Sequence, residues 1–532
     1  MNGNVGEEAM EEKTEKEEAI IDEKALVNEN DLEQTENQNE ETKQDNSKTK
    51  NNKKTILKNY AFNALYQIFL IIVPLIVTPY ISRVLLPVGV GQYSFSCSLI
   101  SYFVIFAALG FNLYGQREIA KYQGDKHKQS VVFWEITIVR IFTTLLFLML
   151  NIVLCGFNVY GTYNILMLIL SINIFATMFD FSFVLQGNEA FGKLVLRNFV
   201  VKTLAVISIF VFVKTENDVW IYTLINALMV LVSNLAIIFY MFKMVQKVSF
   251  DELKPFKRFV PALRFFLPTI VISIYTILDK TLIGFILKSD AQNGFYDQAY
   301  KIVSIVVTLT TALSLVMVSR NSYEKARGNT EALKNNVYFA SKIVMCVGLP
   351  LMFGVMAISQ NMNLWFFGPD YTEVINLMIA FAPLIMMIGL NNVTGIQYLM
   401  AVGRENTFTK TVLFGALLNF VLNIVLIYTI GTIGAVISSV VAEMAILICQ
   451  LIILRKEISV KKFLLCGWKN LLASVCMFVC LWFIKDYFVS SILNTCLLIL
   501  IGMAIYGLLL ILLKDDIIKV VKNKLFKKDK KI

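Results

Sequence analysis

Apolar runs of about twenty residues, parted by short polar breaks, fill this chain from residue 60 to residue 513. Fourteen can be delimited: 60–82, 93–114, 131–154, 161–181, 195–213, 218–242, 265–287, 295–319, 337–359, 374–402, 409–428, 431–454, 469–487 and 491–513. A helix rising about 1.5 Å per residue needs about 20 apolar residues to cross the hydrocarbon layer, so each run predicts one membrane span. The expected fold is an all-α polytopic membrane protein. The breaks supply the orientation. Counting Lys and Arg in the connections and at the run edges beside them, the even-numbered connections hold 23 and the odd-numbered ones 4, namely Arg83, Lys214, Lys288 and Lys485. Basic loops stay on the cytoplasmic side, so the expectation is a multi-pass protein of the cell membrane with both termini in the cytoplasm.

A parallel repeat is visible six runs apart. Pro74 to Leu85 leads to Gly91-Gln92-Tyr93-Ser94, and Pro268 to Lys280 leads to Gly294-Phe295-Tyr296-Asp297. An even offset means that two six-span lobes run the same way, with any substrate site between them. The expected organisation is an acidic tail (1–57), a first lobe (58–250), a second lobe (251–456), a two-helix appendage (457–514) and a basic tail (515–532).

Composition narrows the class. The chain is 57% hydrophobic and 17% charged over 532 residues, against roughly a quarter charged for soluble domains. Residues 1–47 carry 16 Asp and Glu against 4 Lys, too polar to bury a core. The C-terminal lysines suit the anionic inner leaflet, so membrane lipids are an expected partner. Eight cysteines without ligand spacing, a single histidine and no phosphate-binding loop point to no metal, no cofactor and no nucleic acid.

Ionisable residues inside spans are costly and mark pathways. Arg140, Lys202 and Lys280 lie within spans as candidate ligands for an anionic, phosphate-like group, which guanidinium and ammonium groups suit. Lys301, Arg83 and Tyr275 complete that set. Asp279 and Glu443 are the candidate coupling acids. Each has a plainer reading beside it. Asp297 and Lys301 stand at i, i+4 in the favourable order for a helical pair. Arg83 and Lys342 fit interfacial anchors. Arg140 has Glu135 within its own span, and Glu443 suits a lone interhelical acid. Asp279 and Lys280, being neighbours, point about 100° apart, so one would face the cavity and the other an adjacent helix. Asn391, Asn392, Asn419 and Asn423 fit interhelical hydrogen bonds.

Several strings taken in order resemble the bacterial polysaccharide and oligosaccharide flippase family. They are Thr78-Pro79-Tyr80-Ile81-Ser82-Arg83-Val84-Leu85, Gly91-Gln92-Tyr93-Ser94-Phe95 and Gly115-Gln116-Arg117-Glu118 in the first lobe. Gln186-Gly187-Asn188-Glu189, Ile274-Tyr275-Thr276-Ile277-Leu278-Asp279-Lys280 and Gly415-Ala416-Leu417-Leu418-Asn419-Phe420 follow. The likeness spans about 58 to 513 and leaves out both tails. Phe183 stands where many of those flippases have a tryptophan, and the long acidic tail is atypical. The resemblance implies the MATE-like fold of twelve helices plus two. It implies no enzyme, and a transporter moving undecaprenyl-diphosphate-linked repeat units from inner to outer leaflet by alternating access. A polysaccharide polymerase would be a natural partner. Three other readings stand beside it: a peptidoglycan-precursor flippase, a MATE-type cation-coupled drug exporter, which would need an acid-lined cavity, and a membrane glycosyltransferase or polymerase.

Overall fold

Helix follows helix along the chain, and the described residues contain no strand. The computed structural model describes residues 68–516 apart from 70 and 313. The acidic tail and most of the basic tail lie outside the described residues, as do several side chains of the seventh expected span, Tyr275 among them.

In the first half, α1 (71–108) is helical on both sides of Leu86, whose φ of 56° breaks the register between the first two apolar runs. A non-glycine residue in that left-handed region costs on the order of 1–2 kcal/mol. Then come α2 (Phe111–Lys121), α3 (Lys126–Gly156), α4 (Asn164–Thr177), α5 (Ser182–Gly187), α6 (Phe191–Phe212) and α7 (Val219–Met244). The second half holds α8 (Phe259–Leu287), α9 (Asp290–Thr311), α10 (Ser314–Ala326), α11 (Thr330–Phe366), α12 (Thr372–Phe381) and α13 (Pro383–Asn391). It continues through a π-helical segment, Asn392–Met400, into α14 (Glu405–Ile430) and α15 (Thr432–Leu454). The appendage is α16 (Val460–Leu465), α17 (Trp468–Ile484) and α18 (Ile492–Leu512).

The helix ends follow from local chemistry. Asp125, Asn329 and Ser491 each accept a backbone N–H of the first turn, at α3, α11 and α18, satisfying donors that a helix start leaves orphaned. Pro383 has no N–H to give, and the chain bends by 40° between Pro369–Phe381 and Pro383–Met400.

Among the described residues, ten helical stretches are long and apolar enough to cross a bilayer, or eleven if the bent pair is one span. That is fewer than the fourteen runs delimited in the sequence. The first two runs fall within one stretch, Ile71–Lys121, and neither α8, described only in part, nor α9, which carries Asp290, Asp297 and Lys301, is among the ten. A multi-pass membrane protein is nonetheless the only class such helices fit. Their outward faces agree. On α6, Leu196, Val200, Leu204, Ile207 and Val211 form one exposed apolar stripe.

The buried apolar clusters lie mainly within one half or the other, and the first-half cluster also takes in Ala262 and Phe266 of α8. One, around Phe111, Phe133, Phe183 and Ile237, ties α2, α3, α5 and α7 together. Another, around Tyr296, Tyr371, Phe381 and Ile427, ties α9, α12 and α14. The appendage has its own contact, with Ala357 of α11 meeting Met477, Leu481 and Leu498.

Candidate functional site

Three polar constellations lie inside this apolar frame. The first is in the first half. Between α4 and α5 the helix is interrupted, and Asp180 stands in the gap. Its Oδ1 accepts the Ser182 N–H at 3.2 Å and its Oδ2 accepts the Asn112 amide at 2.6 Å. The interruption frees the Asp180 carbonyl, which a continuous helix would occupy. Arg140, fully buried on α3, donates to that carbonyl and, at 2.6 Å, to Asn112 Oδ1. Phe183 and Phe111 flank the guanidinium, 5.3 and 5.8 Å from its carbon, close enough for cation–π attraction. Glu135, the acid on the same helix, is engaged elsewhere. It takes Arg258 at 2.6 Å and the Lys254 N–H at 2.8 Å.

Arg258 also pairs with Glu118 at 2.9 Å, so the segment joining the halves is strapped to the first half. Burial alone would lower the Arg258 guanidinium. Bonds to Tyr114 and Glu135 outweigh it and raise the group above its usual range.

The second constellation is on the α8–α9 hairpin. Lys280 Nζ reaches Asp297 Oδ1 at 2.5 Å, and Lys301 Nζ reaches Asp297 Oδ2 at 2.6 Å, closing the i, i+4 pair. One buried carboxylate thus serves two lysines, whose side chains remain 23% and 33% exposed. Tyr93, Cys97 and Tyr222 of the first half lie within electrostatic reach of this triad.

The third constellation lies a residue away on α8 and faces the other direction. Asp279, 5% exposed, accepts from the Tyr296 hydroxyl, from Ser439 at 2.6 Å and from Asn423 at 2.6 Å. It lines a cavity of about 290 Å³ together with Tyr300, Asn391, Asn392, Ser439, Glu443 and Gln450. Glu443 accepts the Asn391 amide at 2.5 Å. Both candidate coupling acids therefore open on one chamber inside the second half. The neighbouring Asp279 and Lys280 diverge as 100° per residue requires.

The other candidates are placed as follows. Lys202 is exposed on α6. At 100° per residue it falls on the side opposite Val200, Leu204 and Val211, with buried Ile209 and Val213. Arg83 is exposed and donates to the Trp365 carbonyl of the second half. Lys342 meets Asp516 at 3.1 Å and Asp515 at 3.6 Å. Sequence reasoning did not find Asn112, Tyr296 or Ser439. Asn423 was visible only as one of a polar i, i+4 pair on an apolar helix.

Comparison with known proteins fits these observations. The profile of the family described as "Polysaccharide biosynthesis protein" matches residues 56–319. A "Putative O-antigen transporter" of Escherichia coli (strain K12) is 25% identical over 416 residues, covering 76% of this chain and 98% of that protein. A "Probable low-salt glycan biosynthesis flippase Agl15" of Haloferax volcanii is 20% identical over 233 residues, 44% of this chain and 49% of that one. Among solved structures, "Lipid II flippase MurJ, inward closed conformation" superposes with a TM-score of 0.71 at 18% identity, over 86% of this chain and all of that one. An inward-facing multidrug resistance MATE family transporter of the MOP superfamily gives 0.54 at 14% identity, over 77% of this chain and 98% of that one. These two likenesses establish the fold, an all-α polytopic membrane fold shared with those two transporters. The family profile, over just under half of the chain, and the near full-length relative make this chain similar to polysaccharide biosynthesis proteins and to an O-antigen transporter.

Proposed function

We propose that the chain carries polyprenyl-diphosphate-linked oligosaccharide across the cell membrane, from inner to outer leaflet, with both termini cytoplasmic. The observation that carries this reading is the lysine fork at the α8–α9 hairpin. Two partly exposed lysine side chains share one carboxylate, so a net positive charge stands within reach of the first half. A diphosphate is the headgroup chemistry such a fork suits. The near full-length match to an O-antigen transporter supports the same substrate class. In this reading Lys280, Lys301 and Lys202 meet the diphosphate, Arg83 and Tyr275 line its route, and the two lobes alternate around it. Arg140 acts through the α4–α5 break that it holds.

Asp279 and Glu443 are the coupling groups. Their shared chamber, about 290 Å³, is smaller than an oligosaccharide repeat unit needs and admits a small cation or a proton with water. A cation entering there adds the charge that a membrane potential can act on, about 2.3 kcal/mol per charge at 100 mV. A polysaccharide polymerase would receive the product in the outer leaflet.

The test is transport itself. The full chain, reconstituted in proteoliposomes, should expose undecaprenyl-diphosphate-linked sugar on the opposite leaflet, read by a membrane-impermeant glycosidase. Deleting the gene from its host should abolish surface polysaccharide. Normal surface polysaccharide after deletion, with no transfer in proteoliposomes, would reject the reading.

A further inference from the structure

The residues of α9 that matter are in one stripe. Asp290, Gly294, Asp297, Gln298 and Lys301 follow one another at steps of four, three, one and three, which keeps them on one helix face. That face is the seam with the first half. Asp290 Oδ1 accepts the Tyr163 hydroxyl at 2.6 Å, and the Gln298 amide donates to Ser82 at 3.0 Å. Between them the backbones nearly touch. A Cβ on Gly91 would lie 1.7 Å from the Asp290 carbonyl oxygen, and one on Gly294 would lie 2.2 Å from the Pro87 carbonyl oxygen. Gly91 and Gly294 hold equivalent places in the two halves of the sequence repeat, so the repeat is joined to itself at this crossing. By the charge distribution of the loops it is the outward end. Asp297 lies three residues on from Gly294, about 4.5 Å further along the axis.

We propose that Asp297 is a displaceable counter-ion that occupies the diphosphate's place in the empty protein. Its carboxylate positions Lys280 and Lys301 as a fork, and the diphosphate takes both lysines from it. The proposal rests on the flippase reading. Its physical basis is a charge mismatch. One carboxylate balances only one of the two lysines, whereas a diphosphate brings more than one negative charge and oxygens for both. Displacement leaves Asp297 buried, 4% exposed, without its cations, and an unpaired buried charge is strongly unfavourable. That penalty falls on the sealed arrangement of α9. A ligand shifts a conformational equilibrium only by treating the two states differently, and here the stranded Asp297 is the difference. Because Gly294 and Gln298 share its face, relief of the penalty loosens the seam.

The test uses the full chain in nanodiscs, with undecaprenyl diphosphate in one arm and inorganic pyrophosphate in the other. Lys280→Met and Lys301→Met should each weaken undecaprenyl diphosphate binding by about 10- to 100-fold, the worth of one charge-assisted hydrogen bond. Asp297→Asn, which removes the competitor, should tighten it by about tenfold. It should also abolish ligand-induced hydrogen exchange at the seam amides of 286–298, which in the wild type speeds up when ligand binds. Affinity moving one way while the seam response disappears is not what a purely structural residue would produce. Pyrophosphate bound with the same lysine dependence assigns the seat to any diphosphate. Binding of the lipid form alone assigns it to the lipid headgroup, and both outcomes support the role of Asp297.

Weaker or unchanged binding in Asp297→Asn overturns the proposal. Should that variant fail to accumulate, Asp297→Asn/Lys301→Met must bind more tightly than Lys301→Met alone, and equality overturns it too. A wild-type chain that binds neither probe removes the flippase reading as well. A chain that binds and transports, with Asp297→Asn indistinguishable from it, removes only this inference.

Discussion

Each half encloses a charge among neutral partners, a cation in the first and an anion in the second. Arg140 in the first half is enclosed by neutral acceptors, the Asp180 carbonyl and the Asn112 amide oxygen, and by two phenyl rings. Asp279 in the second half is enclosed by neutral donors, two hydroxyls and an amide. The difference lies in what adjoins them. Arg140 fills its own place and spans a helix break, so its charge works as a pin. Asp279 borders an open chamber with a second acid on its wall, and on the proposed reading its charge is available to a mobile ion. On that same reading, one half holds shape and the other can exchange a charge.

The comparison is sharpest at Asp279. Replacing it with Asn leaves one acceptor oxygen for three donors, sets an amide N–H against at least one of them and removes the charge. Surface polysaccharide should then fall by at least about a hundredfold, the combined worth of two charge-assisted hydrogen bonds, with protein level maintained on a membrane immunoblot. Wild-type export from Asp279→Asn would mean that the chamber couples nothing.

Arg140→Met tests the other half. It strands the Asp180 carbonyl and the Asn112 oxygen, a loss of about 1–3 kcal/mol. Unfolding temperature and export should therefore fall together in a detergent melt and a polysaccharide assay. Arg140→Lys, which cannot reach both acceptors at once, should lie between. Export lost at unchanged thermal stability would make Arg140 a substrate ligand rather than a pin.

Glu443→Gln comes third. Its remaining oxygen can still accept the Asn391 amide, so stability should hold while export drops by about tenfold, as one charge-assisted bond weakens to a neutral one. Equal loss of stability and export would make Glu443 a structural acid like those of the first half.

The smallest effect is at the membrane edge. Burial pushes the Glu457 carboxyl up, but hydrogen bonds from Tyr398 and Arg404 outweigh it and hold the group below its usual range. A carboxyl lowered by folding stabilises above its ordinary value and loses that contribution as pH falls through the lowered one. The unfolding temperature of the wild type should decline slightly as pH drops below the ordinary glutamate range, and Glu457→Gln should flatten that decline. An identical pH profile in both would show that this pair contributes nothing.

Much of this was legible from residue order because the membrane imposes simple periods. The apolar runs announced the helices. The i, i+4 spacing announced the Asp297–Lys301 pair, and adjacency announced that Asp279 and Lys280 would diverge. Other relations were hidden. That Lys280 joins the same carboxylate, 17 residues away, depends on how α8 folds back on α9. The partner of Arg140 is a backbone carbonyl, which every residue has and which no side-chain pattern can mark. Glu135, the acid that spacing suggested for Arg140, is taken by Arg258 from a distant segment.

The sequence by itself determined the class and marked Arg140 and Asp279 as charges to be enclosed, since a bilayer penalises exposed polar groups wherever they fall along a helix. The tertiary structure alone decided which enclosed charges meet. It set Asp279 and Glu443 on one chamber, placed Asp297 between two lysines, and pressed Gly91 against Gly294. Such meetings depend on the rotation and crossing of whole helices, which packing sets and local spacing does not encode.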